Sequence, residues 1–109
     1  GKFDSPERVA KAAIMALESR DADNICQYFT PIPSNLMRVR IVPILKNVDE
    51  IKITNLRIVL LSNEGIAAKV RADFDMLITR DQYIETQHLA KTLELVCIDG
   101  KWYLNEVFM

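Results

Sequence analysis

The residue best suited by type and place to do chemistry is Glu106, in the closing stretch VCIDGKWYLNEVFM. The two-residue turn Asp99-Gly100 predicts a hairpin that pairs Ile98 with Lys101, Cys97 with Trp102, Leu95 with Leu104 and Leu93 with Glu106. One face of that hairpin then carries Leu93, Leu95, Cys97, Trp102, Leu104 and Phe108, with Glu106 among them. A carboxylate on an apolar wall can serve as a general acid or base, here with the Tyr28 hydroxyl as its partner. The plainer reading puts Glu106 at an open strand end, wet or paired with Lys91, because carboxylates are seldom buried unpaired.

Four further groups invite the same question. Asp73 and Asp75 lie two apart on a strand, so they share a face and could hold a cation or a proton. Their neighbours Lys69 and Arg71 make a solvated charged face the simpler account. His88, the only histidine, titrates near neutrality and shares a face with Thr92 and Glu94, which places it in solvent. Cys26 and Cys97 both read as inward; they pack as small hydrophobes, or form a disulfide if the compartment is oxidising and the geometry allows. Tyr28, Met76, Trp102 and Glu106 form the candidate pocket lining, with Phe29 and Phe74 read as core.

Composition narrows the function classes. The chain has 109 residues, 50% hydrophobic and 27% charged, with a net charge of −1. That is one domain with one core, 1–109. No basic stripe supplies the electrostatic attraction that nucleic acid demands. No apolar run approaches the roughly 20 residues of a membrane helix. Two cysteines and one histidine make a structural zinc site implausible, and no metal site is expected. Three glycines leave no phosphate-cradling loop, and no cofactor is expected. Gly1-Lys2 looks like a cloning remnant, so export to the cell envelope behind a removed leader stands beside a cytoplasmic home as an expectation.

The elements that must position these residues follow from caps and periodicity. Ser5-Pro6-Glu7 starts a helix over about 5–19, with Val9, Ala13, Ala16 and Leu17 at helical spacing. A short helix over about 22–29 follows, then Ser34 caps a third over about 34–46, kinked or stopped near Ile41 by Pro43. From Asp49 the period changes to two, predicting strands over about 50–62, 66–79, 87–98 and 101–108. The loop Asn63-Glu64-Gly65 pairs Ser62 with Ile66 and sets Leu60, Ile58 and Leu56 beside Ala68, Val70 and Ala72. Ile51 and Ile53 are out of phase with Leu56, so a bulge belongs near Thr54-Asn55. The fold class is α+β: three N-terminal helices packed on a four-stranded antiparallel meander.

A capped first helix SPERVAKAAIMALESRD, a short second helix ending CQYF, long strands and a terminal DGKWYLNEV together resemble the nuclear-transport-factor-two-like (cystatin-like) superfamily. The closest flavour is similar to small bacterial domains of unknown function found in exported lipoproteins, near the lumazine-binding-like group. The resemblance implies a curved sheet wrapped into a cone around the helices, with a pocket between them. It also implies a range of uses: isomerases, dehydratases and cyclases, or binding domains that often pair by their sheets.

Three functions compete: a non-catalytic domain binding an apolar small molecule or a protein, an isomerase, dehydratase or cyclase using Glu106, and a structural dimerisation module. The enzyme requires Glu106 and Tyr28 on one enclosed cavity. Ligand binding requires a cavity of at least roughly 300 Å³. A filled cone favours the interaction module, because Val59, Leu61, Val96, Ile98, Tyr103 and Val107 are expected on the outer sheet face, where a homodimer would form.

Overall fold

The computed structural model describes residues 1–109. Helix α1 (Pro6–Ala16) begins as its cap predicts: Ser5 is extended and its hydroxyl accepts from the Arg8 N–H. A short turn of tighter helix, Leu17–Ser19, closes it, and Val9, Ala10, Ala13, Ile14 and Leu17 are fully buried. Helix α2 (Ala22–Cys26) is capped by the Asp21 carboxylate, which accepts from the Asp23 and Asn24 N–H groups. It stops three residues before the expected end, freeing Tyr28–Thr30 for another task.

Helix α3 (Pro31–Leu45) begins three residues earlier than expected, on Thr30 rather than Ser34. Both Pro31 and Pro33 fit its first turn, where N–H groups have no helical partner. The Ser34 hydroxyl instead donates to the Cys26 carbonyl at 3.0 Å. Pro43 does not stop the helix at Ile41; the chain stays helical to Leu45.

The sheet is a four-stranded antiparallel meander, β1 (Glu50–Asn63), β2 (Ala67–Arg80), β3 (Tyr83–Ile98) and β4 (Lys101–Leu104), in sequential order. At about 3.3 Å per residue the long strands account for the longest dimension of the molecule, 45 Å. The bulge near Thr54-Asn55 is present, with Asn55 in the left-handed region at φ 55°. Ser62 faces Lys69 and not Ile66, and after a second irregularity between Leu60 and Ser62 the pairing lies two residues from the expected one: Leu60 faces Val70 and Ile58 faces Ala72. A slip of two preserves the face, so the apolar sides still meet. Gly65 has φ 89°, as the loop requires.

Strand β3 starts four residues earlier than expected. Asp81 and Gln82, both at positive φ, make the tight turn from β2. The last hairpin has the predicted register from Ile98–Lys101 to Leu95–Leu104. It then ends: β4 stops at Leu104, not at 108. The far side of β4 is occupied by Tyr28–Thr30, through Leu104 N–H to the Tyr28 carbonyl at 2.8 Å and Thr30 N–H to the Leu104 carbonyl at 2.9 Å.

One core of 26 residues fills the space between helices and sheet. It includes Ala68, Val70, Ala72, Phe74, Met76 and Ile78 from alternate positions of β2, and Met37 and Ile41 from α3. Phe29, Phe74 and Phe108 form an aromatic chain, with ring centroids 5.6 Å and 6.5 Å apart.

Candidate functional site

The proposed pocket residues occupy different places. Tyr28 is 1% exposed, stacked on Phe3 with ring centroids 5.4 Å apart. Met76 is 1% and Trp102 6% exposed, both within the core. Glu106 does not pair with Leu93, because β4 has already ended. Its carboxylate instead accepts the Glu94 N–H at 3.1 Å, while Asn105 N–H donates to the Glu94 carbonyl at 2.9 Å. Glu106 therefore stands in for the backbone of a strand that has stopped, and Lys91 is not its partner. Thr30 donates to the Asn105 side chain at 2.7 Å, which fastens the departing chain to the start of α3.

The molecule has two concavities. One, of about 250 Å³, lies at the end of the sheet and is lined by Ser62, Glu64, Lys69, Glu94 and Asn105 among others. Lys69 and Glu94 approach to 4.0 Å across it. The other is an open depression of about 480 Å³ on α1, beside Lys2, Arg8, Lys11 and Met15. Neither is lined by Tyr28, Met76, Trp102 or Glu106. Neither lies inside the cone, whose largest side chains, Ile14, Leu17, Met37, Leu93 and Leu104 among them, are sealed from solvent.

The Asp73/Asp75 pair and His88, considered separately in the sequence, come together on the outer face. The β2–β3 register sets Asp75 opposite His88. His88 Nδ1 lies 2.7 Å from Asp75 Oδ1, and Nε2 lies 3.4 Å from Asp73 Oδ1. Asn55, turned over by the β1 bulge, donates its amide to the other Asp75 oxygen at 2.9 Å. The hydrogen bond to Asp75, aided by the charge of Asp73, raises the His88 pKa above its ordinary 6.5. The Asn55 hydrogen bond first, and His88 second, hold the Asp75 carboxyl below its ordinary 3.8. The histidine contribution to stability is thus complete below pH 6.5 and fades as pH rises through the raised value. The Asp75 contribution is complete above pH 3.8 and fades as pH falls through the lowered one. A proton NMR titration should give His88 a midpoint above 6.5, returning toward it in the Asp73→Asn/Asp75→Asn double variant; an unchanged midpoint would contradict the pairing. The signal was available in the sequence as Asp-x-Asp on one strand and a histidine on the next, but only the Asp81-Gln82 turn aligns them.

The two cysteines stand apart from this cluster. Cys26 and Cys97 are free thiols, the first buried and the second half-buried. Burial pushes the Cys26 thiol up, away from the thiolate that a nucleophile needs. No group of three or more His, Cys, Asp or Glu side chains is arranged to hold a metal ion.

Three helices packed on a curved four-stranded antiparallel meander are now in place, and solved structures share this architecture. A protein from Novosphingobium aromaticivorans, provisionally named an aromatic ring hydroxylase, superposes with a TM-score of 0.78 at 13% identity, covering 93% of this chain and 84% of its own. A protein of unknown function from Shewanella oneidensis, described as nuclear-transport-factor-two-like, does so with a TM-score of 0.62 at 20% identity, covering 91% and 90%. This is the nuclear-transport-factor-two-like fold. A third member of the fold, from Novosphingobium aromaticivorans and provisionally named a scytalone dehydratase, gives a TM-score of 0.68 at 14% identity, covering 92% and 76%. No protein-family model and no curated protein sequence matches the chain. At these identities the likeness concerns the nuclear-transport-factor-two-like architecture alone, which hosts many chemistries.

Proposed function

We propose that this domain is a non-catalytic protein-interaction module that pairs through its outer sheet face. The observation that carries the reading is where apolar surface lies. The cone interior is occupied by the protein's own side chains, whereas Val59, Leu61 and Ile98 remain about half exposed at 49%, 53% and 47%. Exposed apolar groups gathered on one sheet face mark an interface. The face is also self-complementary in charge. Arg57 and Arg71 stand beside Asp73 and Asp75, so a two-fold axis through this region would lay basic groups on acidic ones.

A dehydratase or hydroxylase reading, borrowed from the structural neighbours, requires Glu106 and Tyr28 on one cavity. Glu106 is engaged with the β3 backbone and Tyr28 is packed against Phe3, which leaves that reading without its acid/base pair. An apolar small-molecule ligand fares little better, since the cavity at the sheet end falls below roughly 300 Å³ and is partly polar, and the larger hollow of about 480 Å³ is an open depression bordered by Lys2, Arg8 and Lys11.

The test is methyl NMR across a concentration series. The Val59, Leu61, Val96 and Ile98 methyl signals should shift together as concentration rises. Methyl signals on this face that stay fixed while the protein is concentrated to the millimolar range would overturn the reading.

A further inference from the structure

The sheet has two kinds of edge. The β1 edge is interrupted: the register breaks between Thr54 and Arg57 and again between Leu60 and Ser62, and the Ile53 N–H is taken by Glu18 at 2.8 Å. Bulges and side-chain caps of this sort blunt an edge against pairing. The first part of β3 has no such protection. It pairs with β2 in an unbroken register from Arg80–Tyr83 to Ala67–Val96, while β4 covers only Leu95–Ile98. The stretch from Tyr83 to Leu93 contains no proline, and nothing hydrogen-bonds to its outer side. Tyr83 and Ile84 within it are 82% and 67% exposed.

Which backbone groups face outward follows from the one place where the edge is engaged. Both the N–H and the carbonyl of Glu94 point to the β4 side, where Glu106 and Asn105 meet them. Cys97 N–H points the other way, to the Ile66 carbonyl beside β2. The alternation of an antiparallel ladder then aims the groups of Thr92, Ala90, His88, Thr86 and Ile84 outward. Glu106 caps the last of this series, at the point where β4 has ended.

We propose that this free edge of β3 pairs with the same edge of a second copy of the chain, antiparallel about a two-fold axis at His88, joining two four-stranded sheets into one. Charge selects both the occupant and the register. With the axis at His88, Glu85 of each copy faces Lys91 of the other, two opposite-charge pairs on the same sheet face as Phe74 and Leu93, at exposed positions beyond the part the helices cover. Moving the axis to Gln87 or Leu89 sets Lys91 opposite Tyr83 or Gln87 and loses both pairs. At the chosen register Thr86 faces Ala90 and Ile84 faces Thr92, pairs that exchange two backbone hydrogen bonds each. His88 faces its own copy, each imidazole held by Asp73 and Asp75 of its own chain.

This contact uses an edge and not the outer face, so the two are separable. Hydrogen exchange of the intact protein at low and high concentration should show the Thr86, His88 and Ala90 amides gaining protection as concentration rises. Lys91→Glu, at an exposed position, should weaken that protection at least about tenfold by replacing two attractive cross-strand pairs with repulsive ones. Glu85→Lys/Lys91→Glu should restore it. The Val59→Asp variant, which disrupts the outer face, should leave it intact. Amides without concentration-dependent protection, or protection that survives Lys91→Glu, would overturn the proposal. Protection that arises only when another protein is added would replace the second copy as the occupant.

Discussion

Replacing Phe74 with alanine should lower the free energy of unfolding by about 3–5 kcal/mol, the usual cost of deleting a buried aromatic ring. Phe74 is 2% exposed at the middle of β2 and meets Phe108 edge to face at 88°. A domain of this size commonly has about 5–15 kcal/mol in total, so the loss should be plain in a urea titration. The same variant tests the filled cone. It should contain a dry apolar void able to take up a small aromatic molecule such as benzene. Benzene should therefore raise the melting temperature of Phe74→Ala and leave that of the parent protein unchanged. A parent protein stabilised by benzene would place an open cavity where the account has side chains.

The second large effect concerns the outer face. Val59→Asp combined with Ile98→Asp should weaken face-to-face association by about a hundredfold, because a carboxylate buried at an interface without a partner costs roughly 1–3 kcal/mol or more. Both positions are about half exposed in the single chain, so the fold should survive unchanged by circular dichroism. Sedimentation equilibrium in the Lys91→Glu background isolates this surface from the β3 edge. An association constant within a factor of a few of the parent would exclude the face as an interface.

How much of this was legible in the residues depends on whether a local signal existed. Ser5-Pro6 and Asp99-Gly100 carry their geometry in their chemistry, and the helix start and the last hairpin register follow from them. Asp81-Gln82 has no glycine to announce left-handed backbone, so the residue pattern alone places the start of β3 four residues late. That omission also hid the meeting of His88 with Asp73 and Asp75, which depends on the β2–β3 register.

The early end of β4, which sets the place of Glu106, has a different cause. Alternation continues through Asn105, Glu106, Val107 and Phe108, so the pattern reads as strand. The chain instead leaves the sheet after Leu104 because Asn105 and Glu106 satisfy Glu94 and Thr30 holds Asn105. These are long-range bonds, and no spacing within the strand encodes them. For α3, Pro31 and Pro33 occupy the first turn, so the helix starts ahead of the Ser34 cap that its sequence suggests.

Native mass spectrometry of the freshly purified protein tests the central claim most directly. A filled cone that works by association predicts dimers or larger even-numbered assemblies whose mass is the sum of the chains alone. A monomer carrying a small-molecule mass that is lost on denaturation would contradict it, restoring the pocket as the functional site, and a bare monomer at high concentration would remove the outer face as a self-pairing surface.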